Sequence, residues 1–196
     1  MKTAILILAA GASSRMKSPK LLLPYKNRTL IGWSISHALA SKANHVSVVL
    51  NNETTKLKTE VDSYDVRAII NANFKNGLSS SIAAGVKEFI LYDAILITLA
   101  DQPNVDAIYL NKMIDYSITN PNTVIGSKYK EAVGVPALFP KTYFNELLNL
   151  DGDTGAKTLL NNESIPVLTI ASKVNLFDVD TPKDYSDLIN KIDGKY

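Results

Sequence analysis

The 196-residue chain has no cysteine. Disulfide scaffolds, cysteine zinc sites, iron–sulfur clusters and thiol nucleophiles are thereby excluded. Only two histidines occur, His37 and His45, so a three-histidine metal site is impossible. Neither has an obvious catalytic partner nearby in sequence, and both read as structural or surface residues. Arginine is scarce: Arg15, Arg28 and Arg67 stand among 21 basic residues. The basic residues are scattered and the formal net charge is only +2, so no concentrated stripe points to nucleic acid or to a membrane surface. No run approaches the roughly 20 apolar residues of a membrane span. The apolar start, Met1 to Ser13, superficially imitates a secretory signal. It is short, and Arg15, Lys17 and Lys20 follow at once, so a buried first strand is expected. A soluble, cytoplasmic protein is the expectation.

What is present is core material. Hydrophobic residues make up 46% and charged residues 20%, which argues against disorder. The length suits one domain spanning residues 1–196. Strand-like runs read as Thr3–Leu8, His45–Leu50, Arg67–Asn71, Ala94–Leu99 and Thr123–Ser127, then Val135–Phe139, Pro166–Ile170 and Asn175–Val179. Several are continuously apolar, as strands covered on both faces are. Helical patterns lie between them. Thr29 caps a helix carrying Leu30, Ile31, Ile35, Ala38 and Leu39. A second runs from Ser79 to Ile90. A third runs from Val105 to Ser117, with Val105, Ile108, Tyr109 and Met113 on one face. Thr181-Pro182-Lys183-Asp184 is a helix-start signal. The alternation predicts an α/β, Rossmann-like domain with a mostly parallel sheet covered by helices on both faces. Ligands of such sheets bind beyond the carboxyl ends of the strands, so the loops after strands matter most.

Three such loops carry candidate chemistry. The first, residues 9–20, is small and polar, then basic. Its backbone N–H groups and Ser13 and Ser14 hydroxyls suit phosphate oxygens, and Arg15 and Lys20 supply positive charge. It is neither a dinucleotide fingerprint nor a Walker A loop. In the second, Ala100-Asp101-Gln102-Pro103, a strand-end carboxylate suits Mg²⁺, which takes one or two protein carboxylates. An Asp that merely turns the chain fits the same position. In the third, Asp178-Val179-Asp180, strand alternation points both acids one way, and Asp180 either shares a cation with Asp101 or simply precedes a helix. The segment Asn76-Gly77-Leu78-Ser79-Ser80-Ser81 offers N–H groups and hydroxyls to a nucleotide or caps its own helix. Asp151 to Lys157 reads by itself as a helix start capped by Asp153.

Taken in order, these segments resemble the MobA-like nucleotidyltransferase family, and most closely its molybdenum-cofactor cytidylyltransferase (MocA-like) branch. The resemblance rests on Leu8-Ala9-Ala10-Gly11 with Ser13, Ser14, Arg15, Met16 and Lys20; Gly77 to Ser81; Ala100 to Pro103; Gly134-Val135-Pro136; Gly152 to Ala156; and Asp178 to Pro182. It implies a GT-A-like domain that moves a nucleotidyl group from a nucleoside triphosphate to a phosphorylated small-molecule acceptor, releasing pyrophosphate. Carried over by position, Leu8, Ala9, Ala10, Gly11 and Gly77 would line the nucleotide, and Ser79 and Ser80 would contact base or ribose. Arg15 and Lys20 would hold the triphosphate and, with Asp101, act in catalysis. Asp101 and Asp180 would hold Mg²⁺. Gly134, Pro136, Asp153 and Gly155 would shape the acceptor pocket. Ala10, where users of GTP carry glycine, implies CTP, and the branch implies molybdopterin cofactor as acceptor and a molybdoenzyme or its maturation factor as partner. Two positions depart from the family pattern: Lys17 replaces a usual glycine, and Val135 replaces a frequent histidine. Another cytidylyl- or sugar-phosphate transferase, or a non-catalytic nucleotide-binding module serving molybdoenzyme maturation, remains an alternative at this level.

Overall fold

The computed structural model describes residues 1–11, 16, 19–130, 132–171 and 176–192. Its centre is a seven-stranded sheet in the order β5-β4-β1-β6-β8-β7-β9. The strands are β1 (Thr3–Leu8), β4 (His45–Asn51), β5 (Arg67–Asn71), β6 (Ala94–Leu99), β7 (Val124–Lys128), β8 (Val133–Pro140) and β9 (Val167–Ala171). β1 pairs in parallel with β4 and β6, β4 with β5, and β7 with β9. β8 alone in the sheet runs against its neighbours β6 and β7. A short hairpin, β2 (Pro24–Tyr25) and β3 (Arg28–Thr29), lies outside the sheet and was not legible in the sequence.

The continuous apolar runs explain the centre of the sheet. All six residues of β1 are buried. Helices cover both faces, so neither side of β1 can alternate to water. On one face Ile5, Ile7, Val48 and Leu96 meet Ile31 and Ile35 of α1 (Leu30–Leu39) and Met113 of α4 (Ala107–Thr119). On the other, Leu6, Ile95 and Ile97 meet Ile82 and Val86 of α3 (Leu78–Glu88) and Phe144 of α5 (Phe144–Leu148). A third cluster of Tyr25, Leu30, Val179 and Leu188 joins the hairpin to α7 (Pro182–Ile192). The remaining helices, α2 (Thr55–Val61) and α6 (Lys157–Leu160), are short. Among the described residues no helix is long and apolar enough to cross a membrane.

The helix-start signals at Thr29 and Thr181 are borne out in detail. Thr29 Oγ1 accepts from Gly32 N at 2.9 Å. Asp184 Oδ2 accepts from Thr181 N at 2.7 Å, and Thr181 Oγ1 accepts from Asp184 N at 3.2 Å, a reciprocal box. Two expectations fail. Ile108 is 79% exposed. Asp106, not an earlier residue, caps α4 by accepting from Tyr109 N, so the inward face carries Tyr109, Leu110, Met113 and Ile114. Residues 176–180 form no strand (Asn175 lies outside the described residues); Val179 N instead donates to Asp101 O, in the loop after β6.

Candidate active site

After β1 the chain crosses to β4 on one side, and it later enters β6 on the other. That reversal opens a crevice at the carboxyl end of β1, where open α/β sheets bind ligands. A cavity of about 960 Å³ occupies this place. Leu8, Ala9, Ala10 and Gly11 form part of its wall. Their backbone is pinned from both flanks: Ala9 N donates to Val49 O, Ala100 N donates to Leu8 O, and Asn51 Nδ2 donates to Ala10 O at 3.0 Å. A Cβ built on Gly11 would meet none of the described residues within 4 Å. Among them, the missing side chain leaves space beside the cavity.

The acid end of the cavity brings together residues far apart in sequence. Lys20 Nζ lies 2.6 Å from Asp101 Oδ2 and 2.8 Å from Asp180 Oδ1. The Lys20 and Asp101 side chains are 13% and 14% exposed, so this is no casual surface pair. Burial by itself would lower the Lys20 pKa; the Asp101 charge and the hydrogen bonds to Asp101 and Asp180 overcome that, and the net shift is upward. Lys20 is a firmly charged ammonium.

Asp178 lies on the same wall. Gln102 Nε2 donates to Asp178 Oδ1 at 2.6 Å and to Tyr129 Oη at 3.1 Å. Burial first, and then the nearby Asp101 charge, push the Asp178 carboxyl up to about 6, although the Gln102 donor opposes this. Tyr129 Oη donates to Val135 O. Its phenol is pushed up to about 12, chiefly by burial, and so stays protonated.

These residues fit a hard divalent cation. Asp101 Oδ1 is buried and has no hydrogen-bond partner among the described residues, which leaves a carboxylate oxygen available. The donor set of Asp101 and Asp180 is all oxygen, as Mg²⁺ prefers. Among the described residues no group of three or more His, Cys, Asp or Glu side chains forms a closed cage. A cation here would complete its shell from a ligand such as phosphate, or from water.

Other expected residues are placed differently. Arg15, Ser13, Ser14 and Lys17 lie outside the described residues. Gly77 and Asp153 line the cavity; Ser79, Ser80, Gly134, Pro136 and Gly155 are not among its lining residues. The hydroxyl of Ser79 donates to Gly152 O, and that of Ser80 donates to Gly77 O and accepts from Asn71 Nδ2. Both serines are therefore engaged in holding the start of α3. Asp153 does not cap α6: its Oδ1 accepts from Leu78 N at 3.1 Å and caps α3 across the fold. Gly155 packs under Leu78, where a Cβ would stand 2.6 Å from Leu78 Cδ2. Gly134 lies under the Tyr129 ring, at 2.7 Å for a built Cβ. Pro136 is buried, and its carbonyl accepts from Ser127 Oγ. These three shape neighbouring walls from behind. The His37 ring lies tilted against Trp33 and the His45 ring tilted against Phe89, and neither histidine is among the lining residues.

Sequence reading missed Gln102 as a linker, and it missed Asn51 and the rim pair Glu53–Lys75, 3.0 Å apart. Asn51 ends β4, next to β1 at the reversal of strand order, and that placement was the signal available for it.

A pinned small-residue loop beside the Asp101 and Asp180 carboxylates, at the reversal point of a mostly parallel sheet, defines the ligand crevice of an α/β domain. Residues 5–167 match the MobA-like NTP transferase domain, and the chain belongs to that family of nucleotidyltransferases. It is 31% identical to purine catabolism protein PucB of Bacillus subtilis, over 94% of each chain. It is 23% identical to the molybdenum cofactor cytidylyltransferase of Escherichia coli, over 92% of each. Among solved structures, Rv0371c of Mycobacterium tuberculosis in complex with manganese is 29% identical, with a TM-score of 0.77, covering 97% of this chain and 99% of that one.

Proposed function

We propose that this protein transfers CMP from CTP to a phosphorylated acceptor, molybdopterin cofactor, with release of pyrophosphate. The observation that carries the reading is the convergence of Lys20, Asp101 and Asp180 within 2.8 Å beside the Leu8–Gly11 wall. An acceptor phosphate oxygen attacks the α-phosphorus of CTP. The new P–O bond forms as the bond to the bridging oxygen of pyrophosphate breaks, and pyrophosphate carries that electron pair away. No protein nucleophile is required, in keeping with a chain that has no cysteine.

Catalysis is positioning plus charge neutralisation. The pinned Ala9–Gly11 backbone holds the nucleotide, with Gly11 leaving room for close approach. Lys20 offsets negative charge growing on the α-phosphate, and Arg15, assigned by resemblance to the family, holds the departing pyrophosphate. Asp101 and Asp180 would hold Mg²⁺, which when bound withdraws charge from phosphate oxygens. Gln102 holds Asp178 and Tyr129 in place at the acid end. Gly77 and Asp153 belong to the wall on the α3 side, with Gly155 packed under Leu78 behind it; Gly134 packs instead under Tyr129, and with Pro136, Asp153 and Gly155 it is assigned to the acceptor pocket by resemblance to the family. CTP is favoured because the Ala10 methyl crowds a purine, a discrimination of about 1–3 kcal/mol. The relative that is a molybdenum cofactor cytidylyltransferase supports the choice of acceptor.

The test is pyrophosphate release with Mg²⁺, each of the four nucleoside triphosphates, and a panel of acceptors that includes molybdopterin carrying molybdenum. Release with CTP and molybdopterin is expected. Release with a sugar phosphate alone would replace the acceptor, and nucleotide binding without any release would replace the enzyme with an accessory binding protein.

A further inference from the structure

Lys20 already sits where a cation would. Its Nζ touches Asp101 Oδ2 and Asp180 Oδ1, the same two carboxylates that the proposed reading gives to a divalent cation. An ammonium and a divalent cation compete for anionic oxygen, and at such spacing in a partly buried site they repel strongly. Both cannot share the seat. We infer that Lys20 is an internal surrogate cation: in the free protein its ammonium draws Asp101 and Asp180 together and excludes the divalent cation, and nucleotide phosphates draw the ammonium away and open the seat. This inference rests on the proposed function, because that reading assigns the seat to a metal.

Three features support it. Lys20 and Asp101 are largely shielded from water, and Asp180 is 37% exposed, so solvent screens the competition only in part. The ammonium uses only one oxygen of Asp101; among the described residues Oδ1 remains buried without a hydrogen-bond partner, an acceptor that a cation with more coordination sites would use. Lysine carries a compact charge on a flexible four-carbon stem, so it can move between carboxylate and phosphate as a rigid arginine fork could not. The consequence is ordered binding. Cation affinity of the free protein falls in proportion to the small fraction of molecules with a vacant seat, and nucleotide and cation tighten each other reciprocally.

The experiment measures Mn²⁺ binding by electron paramagnetic resonance, without turnover. In the absence of nucleotide, Lys20→Met, which keeps the stem and removes the charge, is expected to bind one Mn²⁺ about 10-fold or more tightly than the wild type. Mn²⁺ is also expected to raise its Tm more. Equal or weaker binding overturns the inference. In the wild type, α,β-methylene-CTP is expected to tighten Mn²⁺ by a similar factor, and no coupling overturns it. Should Lys20→Met fail to fold, the ¹⁵Nζ resonance of Lys20 in the wild type serves instead: it is expected to move when Mg²⁺ and the analogue are added together, and an unmoved signal overturns the inference. Asp101→Asn separates the two layers. If it abolishes Mn²⁺ binding while Lys20→Met fails to tighten it, only the surrogate-cation inference falls. If Asp101→Asn leaves Mn²⁺ binding intact, the carboxylate seat falls, and the inference with it.

Discussion

Two walls of the cavity are built from similar sequence material and end up in opposite states. The wall after β1 and β6 keeps groups available: among the described residues nothing stands beside the missing Gly11 side chain, and Asp101 Oδ1 is buried without a partner. At the start of α3 the polar groups are engaged. Ser79 bonds across the fold to the Gly152 carbonyl and Leu78 N to Asp153, while Ser80 bonds to Gly77 O and Asn71 Nδ2 nearby. Small and polar residues on a loop therefore do not announce a ligand site. What separates the two walls is whether a second segment of chain has already claimed their donors and acceptors.

The comparison can be broken by substitution. Asp101→Asn should have the largest effect, cutting pyrophosphate release about 100–1,000-fold, the loss seen when one preorganised charge contact is removed; steady-state rates beside a circular dichroism spectrum check it. Gly77→Ala comes next and strikes stability. Gly77 has φ +94°, and a Cβ there would stand 2.5 Å from Gly152 O. Strain of about 1–3 kcal/mol, plus the clash, should lower the Tm markedly in thermal melts. Gly11→Ala should do the reverse. Its stability should stay within about 0.5 kcal/mol of the wild type, whereas CTP affinity by calorimetry should fall about 10–200-fold, the value of one methyl in a tight pocket. If Gly11→Ala binds CTP normally, the open wall is not the nucleotide wall.

A gentler prediction concerns pH. Burial pushes the Asp178 carboxyl up to about 6 in the fold, against 3.8 for an unperturbed aspartate. Between those values the folded state binds the proton more readily than the unfolded state. Stability from this group is therefore full at low pH and falls as pH rises from about 4 to 6. Melts of metal-free protein across that window should show the decline, and Asp178→Asn should flatten it. The smallest effect belongs to Ser79→Ala. Its hydroxyl is engaged with Gly152, so stability should fall by about 0.5–1.5 kcal/mol with turnover unchanged. A large loss of turnover without loss of stability would return Ser79 to the ligand.

Much of the scaffold was legible. Thr3–Leu8 and Ala94–Leu99 emerge with the boundaries their apolar runs predict, because a strand covered on both faces needs uninterrupted apolar side chains, and the edge strand Arg67–Asn71, exposed at Arg67 and Ile70, also keeps its expected bounds. Val135–Phe139 was legible as a strand within β8, but its reversed direction was not, since strand direction leaves no mark on composition. Ile108 misled because periodicity counted from Val105 starts two residues too early; the Asp106 cap sets the phase. Asp178 was noticed as a neighbour of Asp180, but its tie to Gln102 spans 76 positions and has no local signature.

By itself the sequence determined the layered architecture, the helix starts at Thr29 and Thr181, and the placement of Asp101 at the end of a buried strand. These follow from side-chain period and local backbone chemistry, which act over a few residues. Only the tertiary structure decided that Lys20 lies between Asp101 and Asp180, 81 and 160 positions away, and that Asp153 caps a helix 75 positions earlier. Electrostatic and hydrogen-bond partners are chosen by distance in space, and that distance exists only once the sheet has brought its strand ends together.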